Sequence, residues 1–129
     1  MNDEDRASVV DLGVRTKRFA LRIIRLFGAL PKTTEAQVLG KQMLRSGTSV
    51  GAHYREATRA RSDAEFVSKI DVALAELEET AYWLELLAES DIVASARLEE
   101  LRGEANELLA ILVTCVKKVK RNRTAKHDA

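Results

Sequence analysis

Four cations at helical spacing carry the strongest chemical signal in this sequence. Lys41, Thr48 and Arg55 lie seven residues apart, and Arg45, Ala52 and Arg59 form the neighbouring line. Seven residues make about two helical turns, so Lys41, Arg45, Arg55 and Arg59 share one stripe. Arg61 follows directly. Lys41/Arg45 and Arg55/Arg59 are like-charged i,i+4 pairs, and each costs an isolated helix about 0.2–0.5 kcal/mol. Glu56 relieves only part of that repulsion, so an anion is expected against the stripe.

Two anions fit. Nucleic-acid phosphate is one, because basic stripes neutralise it and release counterions. Arg15, Lys17, Arg18, Arg22 and Arg25 flank the stripe, and Lys117, Lys118, Lys120 and Arg121 add support near the C-terminus. The other anion lies within the protein. Asp71, Glu78 and Glu85 recur every seven residues, with Glu76 and Glu79 beside them. They would form an ion-pair ladder with the basic helix, within or between subunits. The two readings are compatible. Few exposed aromatics are available for base stacking, so nucleic-acid binding is expected to be weakly sequence-specific and strongly salt-dependent.

Catalytic and metal chemistry find no support. A di-iron bundle needs Glu-x-x-His motifs, but the residues three before His53 and His127 are Val50 and Thr124. Two histidines and one cysteine give no zinc spacing. No strand precedes a glycine-rich phosphate loop. Cys115 falls on an apolar helix face, so a Cys115–His53 dyad is not expected. The reading is a non-enzyme with no catalytic residue, no metal and no cofactor.

Four helices must position these groups. Apolar residues recur at three- and four-residue steps in four stretches. The first runs from about Val9 to Leu30 through Leu12, Phe19, Ile23 and Leu26, and Pro31 ends it. The second runs from Thr34 to about Ala60, with Thr34 and Gln37 as a capping box. Its seam is Ala36, Gly40, Met43, Gly47, Val50, Tyr54 and Ala57. The third opens on the capping box Ser62/Glu65, with seam Phe66, Ile70, Ala73, Leu77, Ala81, Leu84 and Ala88. The fourth opens near Ser95, with seam Leu98, Leu101, Ala105, Leu108, Leu112, Cys115 and Val119. Nothing reads as a strand. Short connections predict an antiparallel up-down-up-down four-helix bundle, all-α, over residues 1–121. A basic flexible tail is expected over 122–129.

The weakest part of the second helix is Gly47–Gly51. Two glycines with Thr48, Ser49 and Val50 cost about 3 kcal/mol relative to alanines. Small side chains there also let another helix come close. Close packing is preferred over a helix break, and Gly47, Ser49, Val50, Gly51 and Tyr54 are the expected helix-packing or oligomer contacts.

The net charge of +1 hides strong sorting. Counted along the chain, residues 1–14 carry −3, 15–61 carry +9, 62–107 carry −10 and 108–129 carry +5. Blocks of this kind constrain partners more than the total does. No apolar run approaches the ~18 residues of a membrane span, and the acidic start lacks a signal-peptide core. A cytoplasmic protein without membrane contact is expected.

The chain also resembles a known family. "LPK" at 30–32, "GKQMLRSGTSV" at 40–50, "RARSDAEF" at 59–66 and "ALAELEETAYWLELL" at 73–87 carry the likeness. Arg45, Ser49, Val50, Glu56, Arg59, Arg61, Ser62, Glu65, Phe66, Glu76 and Glu79 sit at matching positions. They resemble the bacterial four-helix-bundle proteins encoded by intervening sequences of 23S ribosomal RNA genes. Gly51 and His53 depart from the proline and asparagine common there. The resemblance implies a bundle assembled into a homo-oligomeric ring, a pentamer. It is also similar to the accessory protein of diversity-generating retroelements, which implies RNA, DNA or a reverse transcriptase as partners.

Overall fold

The periodic stretches fold as helices that turn their apolar seams onto one core. The computed structural model describes residues 3–128, with side chains over 11–125. The elements are α1 (Asp3–Ala29), α2 (Thr34–Thr58), α3 (Asp63–Glu89) and α4 (Ser95–Asp128). Among the described residues no strand forms. The chain is a four-helix bundle. Its α4 stays helical to Asp128, across the stretch expected to be a tail. Lysine and arginine are good helix formers, and cations suit the negative end of the helix dipole.

Capping explains the boundaries. Thr33, not Thr34, caps α2, its hydroxyl accepting from the Ala36 amide. The expected box is therefore one residue out of register, and the Gln37 side chain instead donates to the Pro31 carbonyl at 2.9 Å. Ser62 caps α3 as expected, accepting from the Glu65 amide at 3.1 Å. Glu65 reaches back to the Arg61 amide rather than to that of Ser62. After α3, Asp91 adopts φ 60°, and the Val93 amide turns back to the Leu87 carbonyl.

The α2 seam is buried throughout, from Ala36 to Ala57, with Ser46 added. In α3 the seam drifts: Val67, Thr80 and Leu87 are buried, while Phe66 and Ala81 are half-buried. In α4 it passes from Leu112 to Val116, leaving Cys115 and Val119 half-buried. A helix of 3.6 residues per turn gains on a 3.5-residue pattern, which accounts for these slips. Phe19, Ile23, Met43, Ile70, Leu77, Leu84, Leu98 and Leu108 form the centre of the core.

Helix α2 runs unbroken through Gly47–Gly51. A Cβ at Gly47 would lie 2.9 Å from Cγ1 of Ile23, and one at Gly51 would lie 3.2 Å from Oγ1 of Thr16. The small residues thus admit α1 of the same chain. Thr16 is itself buried and returns its hydroxyl to the Leu12 carbonyl at 2.8 Å. On the other side of α2, Ser46 and Thr80 share a buried hydrogen bond of 2.7 Å. Thr80 also donates to the Glu76 carbonyl. With that proton committed, Ser46 is the donor between the hydroxyls.

Candidate nucleic-acid interface

The cationic stripe divides into two parts. Arg45 leans onto α3, where Nη1 lies 3.1 Å from the Glu76 carboxylate and Nη2 meets Glu79. Its charge is already answered inside the subunit. Lys41, Arg55, Arg59 and Arg61 are exposed, and none makes an ion pair among the described residues. Lys117, Lys118, Lys120 and Arg121 are likewise exposed along α4.

Glu56 does not answer Arg55 or Arg59. One of its oxygens holds the Lys69 ammonium at 2.8 Å and the other faces His53 Nδ1 at 3.6 Å. The Lys69 hydrogen bond, and then its charge, hold the Glu56 carboxyl below its usual range. The same contact raises the Lys69 ammonium. Of the acidic residues expected to pair with the stripe, Glu76 and Glu79 do so through Arg45. Asp71, Glu78 and Glu85 stay exposed, with no ion pair among the described residues.

Several cross-helix pairs were not foreseen from the sequence: Lys69 with Glu56, Arg22 with Glu100 at 3.9 Å, and Arg15 with Glu104. Arg15 of α1 donates to Glu104 of α4 at 2.6 Å, with Glu107 at 3.4 Å and Asp11 at 3.9 Å. The Glu104 hydrogen bond outweighs desolvation and raises the guanidinium further. Arg15 lies in the basic block and Glu104 in the acidic one. Only that sorting hinted at the pair, because nothing in the sequence set the register of α1 on α4.

The expected contact residues have distinct places. Val50 and Tyr54 are buried in the core, and burial, followed by the nearby Cys115 and Asp11, pushes the Tyr54 phenol up to about 12. Ser49 is half-buried and returns its hydroxyl to the Arg45 carbonyl. Burial also raises the Cys115 thiol, which disfavours the thiolate a nucleophile needs.

The description of the 23S rRNA-intervening sequence protein family matches residues 11–114. The chain belongs to that family. A solved member-type structure is similar: a protein of unknown function from the S23 ribosomal protein family of Bacteroides thetaiotaomicron, at 1.70 Å resolution. It is 37% identical with a TM-score of 0.79, and the match covers 84% of this chain and 97% of that one. The comparison with curated proteins gave no match.

In this member of the 23S rRNA-intervening sequence family, many of the residues that carry the resemblance hold the bundle together. Arg45 binds Glu76 and Glu79, Ser62 and Glu65 cap α3, and Val50 fills the core. Arg59 and Arg61 differ, being exposed and without an ion pair among the described residues. Among the described residues no helix is long and apolar enough to cross a membrane.

Proposed function

We propose that this chain is a non-enzymatic nucleic-acid-binding bundle that works as a homo-oligomer in the cytoplasm. One observation carries the reading. Arg45 and Glu56 are occupied inside the subunit, yet Arg55, Arg59 and Arg61 remain exposed and unpaired among the described residues. Phosphate oxygens answer such charges, and the contacts carry little sequence information. Lys117, Lys120 and Arg121, exposed along α4, extend the same chemistry. An up-down-up-down order belongs to this reading and is supported by the order of the cross-helix pairs. Arg45 meets Glu76 and Glu79, whereas Glu56, further along α2, meets the earlier Lys69. Family likeness adds a ring, a pentamer, with a reverse transcriptase as a further partner in a retroelement setting.

The test is an electrophoretic shift with structured ribosomal RNA and DNA fragments at low and moderate salt. Binding at low salt that weakens steeply with added salt is expected. Absence of any shift at low salt with micromolar protein would sink the reading.

A second reading is a structural oligomer that binds no nucleic acid. Asp71, Glu78 and Glu85 favour it, because they are exposed carboxylates without ion pairs among the described residues. They could meet the free cations of a neighbouring subunit. Reversing Arg55 and Arg59 would then lower the mass seen by light scattering. Under the nucleic-acid reading the mass is unchanged and binding falls.

A further inference from the structure

The α2–α3 turn and α4 border a depression of about 360 Å³, with Arg61 on its rim. Its apolar lining is Ala57, Phe66 and Val119, and its polar rim is Thr58, Arg61 and Asp63. Phe66 belongs to the sequence-predicted core seam, but the structure leaves it half-buried at this wall. Val119 is the last apolar member of the α4 seam. Beyond it come Lys120, Arg121 and Arg123, with Arg123 one helical turn on along the same face.

The chemistry of the lining selects the occupant. The interior is apolar and aromatic, and a phosphate placed there would meet the Asp63 carboxylate. Arg61 stands beside Asp63 on the rim, and the other cations, Arg59 and those of α4, lie outside the lining. A flat, uncharged group inside with anions outside matches this arrangement. An unpaired nucleotide has that form, whereas a duplex keeps its bases stacked out of reach.

We propose that this depression seats one unpaired base of a single-stranded nucleic acid. The base lies against Phe66 and Val119, and its flanking phosphates meet Arg59, Arg61, Lys120 and Arg123. The proposal rests on the nucleic-acid reading above and sharpens it to single strands. It also supplies the aromatic surface that the sequence alone did not offer.

Fluorescence anisotropy of the full chain tests it. The probes are a labelled mixed-sequence RNA of about 12 nucleotides, near the site size of small single-strand binders, and the duplex of the same sequence. The wild type should prefer the single strand by about tenfold, within the range that one stacked base contributes. Thr58→Phe starts from an exposed rim position and fills the depression without changing charge. It should remove the preference while duplex affinity holds. Phe66→Leu keeps an apolar wall but removes the aromatic face, and should do the same. Circular dichroism establishes that each variant is folded. Equal binding of single strand and duplex by the wild type overturns the base site but leaves phosphate binding standing. So does an unchanged preference in whichever of the two variants is folded. Failure of both probes to bind at low salt overturns the nucleic-acid reading itself.

Discussion

Arg45 of α2 and Glu76 of α3 meet at 3.1 Å, and Glu79 takes the second arm of the same guanidinium. One cation of the basic stripe is thereby a fastener between helices. Its neighbours Arg55 and Arg59 have no such contact among the described residues. The stripe thus divides into a paired and an unpaired part, and substitution separates them. Arg45→Glu should lower the melting temperature by a few degrees, less so at high salt, because exposed pairs are screened. Nucleic-acid affinity should fall much less than in the Arg55→Glu/Arg59→Glu variant. Thermal melts and binding titrations on both variants check this.

Gly47 is there for Ile23. An alanine gains about 1 kcal/mol of helix propensity, but its Cβ would come within 2.9 Å of the Ile23 side chain. Overpacking of this kind costs about 1–3 kcal/mol. Gly47→Ala should therefore fail to stabilise the protein and should lower its denaturation midpoint. Adding Ile23→Val should recover part of the loss. A glycine chosen merely to break the helix would give the opposite sign in the single variant.

Ser46 and Thr80 are coupled through a buried hydrogen bond. Thr80→Val leaves the Ser46 hydroxyl only the longer contact to the Met43 carbonyl at 3.4 Å, a loss of about 1 kcal/mol. Removing both hydroxyls, as Ser46→Ala/Thr80→Val, should cost less than the two single losses together. A double-mutant cycle in urea measures the difference.

Tyr54 makes stability fall in alkali. Its phenol sits at about 12 in the fold, pushed up chiefly by burial, against about 10 unfolded. Between those values the unfolded chain has released the proton that the folded chain keeps, so stability declines as pH rises. The decline reaches about 2 kcal/mol by pH 12. Tyr54→Phe should flatten this part of the profile, as read from urea midpoints between pH 9 and 12.

The helices were legible because their signals are local. The α2 seam from Ala36 to Ala57 is a strict alternation of three- and four-residue steps, and every member is buried. Ser62 with Glu65 marked the start of α3. Where two adjacent residues could serve, the pattern misled: Thr33 caps α2 instead of Thr34, and Val116 replaces Cys115 in the core. The register of one helix on another was not legible. Arg15 could have met any of several carboxylates, and only packing of α1 on α4 selects Glu104. The same limit hid the Phe66 wall, whose exposure depends on where α4 places Val119.

The central claim is that the cations left free by the bundle hold phosphate. The most direct measurement is the affinity of a structured ribosomal RNA fragment for the wild type and for Arg55→Glu/Arg59→Glu/Arg61→Glu, followed across salt concentrations, with light scattering on both proteins. The account predicts a large loss of affinity, a shallower salt dependence by roughly one unit of slope per lost phosphate contact, and an unchanged oligomer mass. Equal affinity for the two proteins, or a variant that loses its assembly while RNA binding persists, would contradict it.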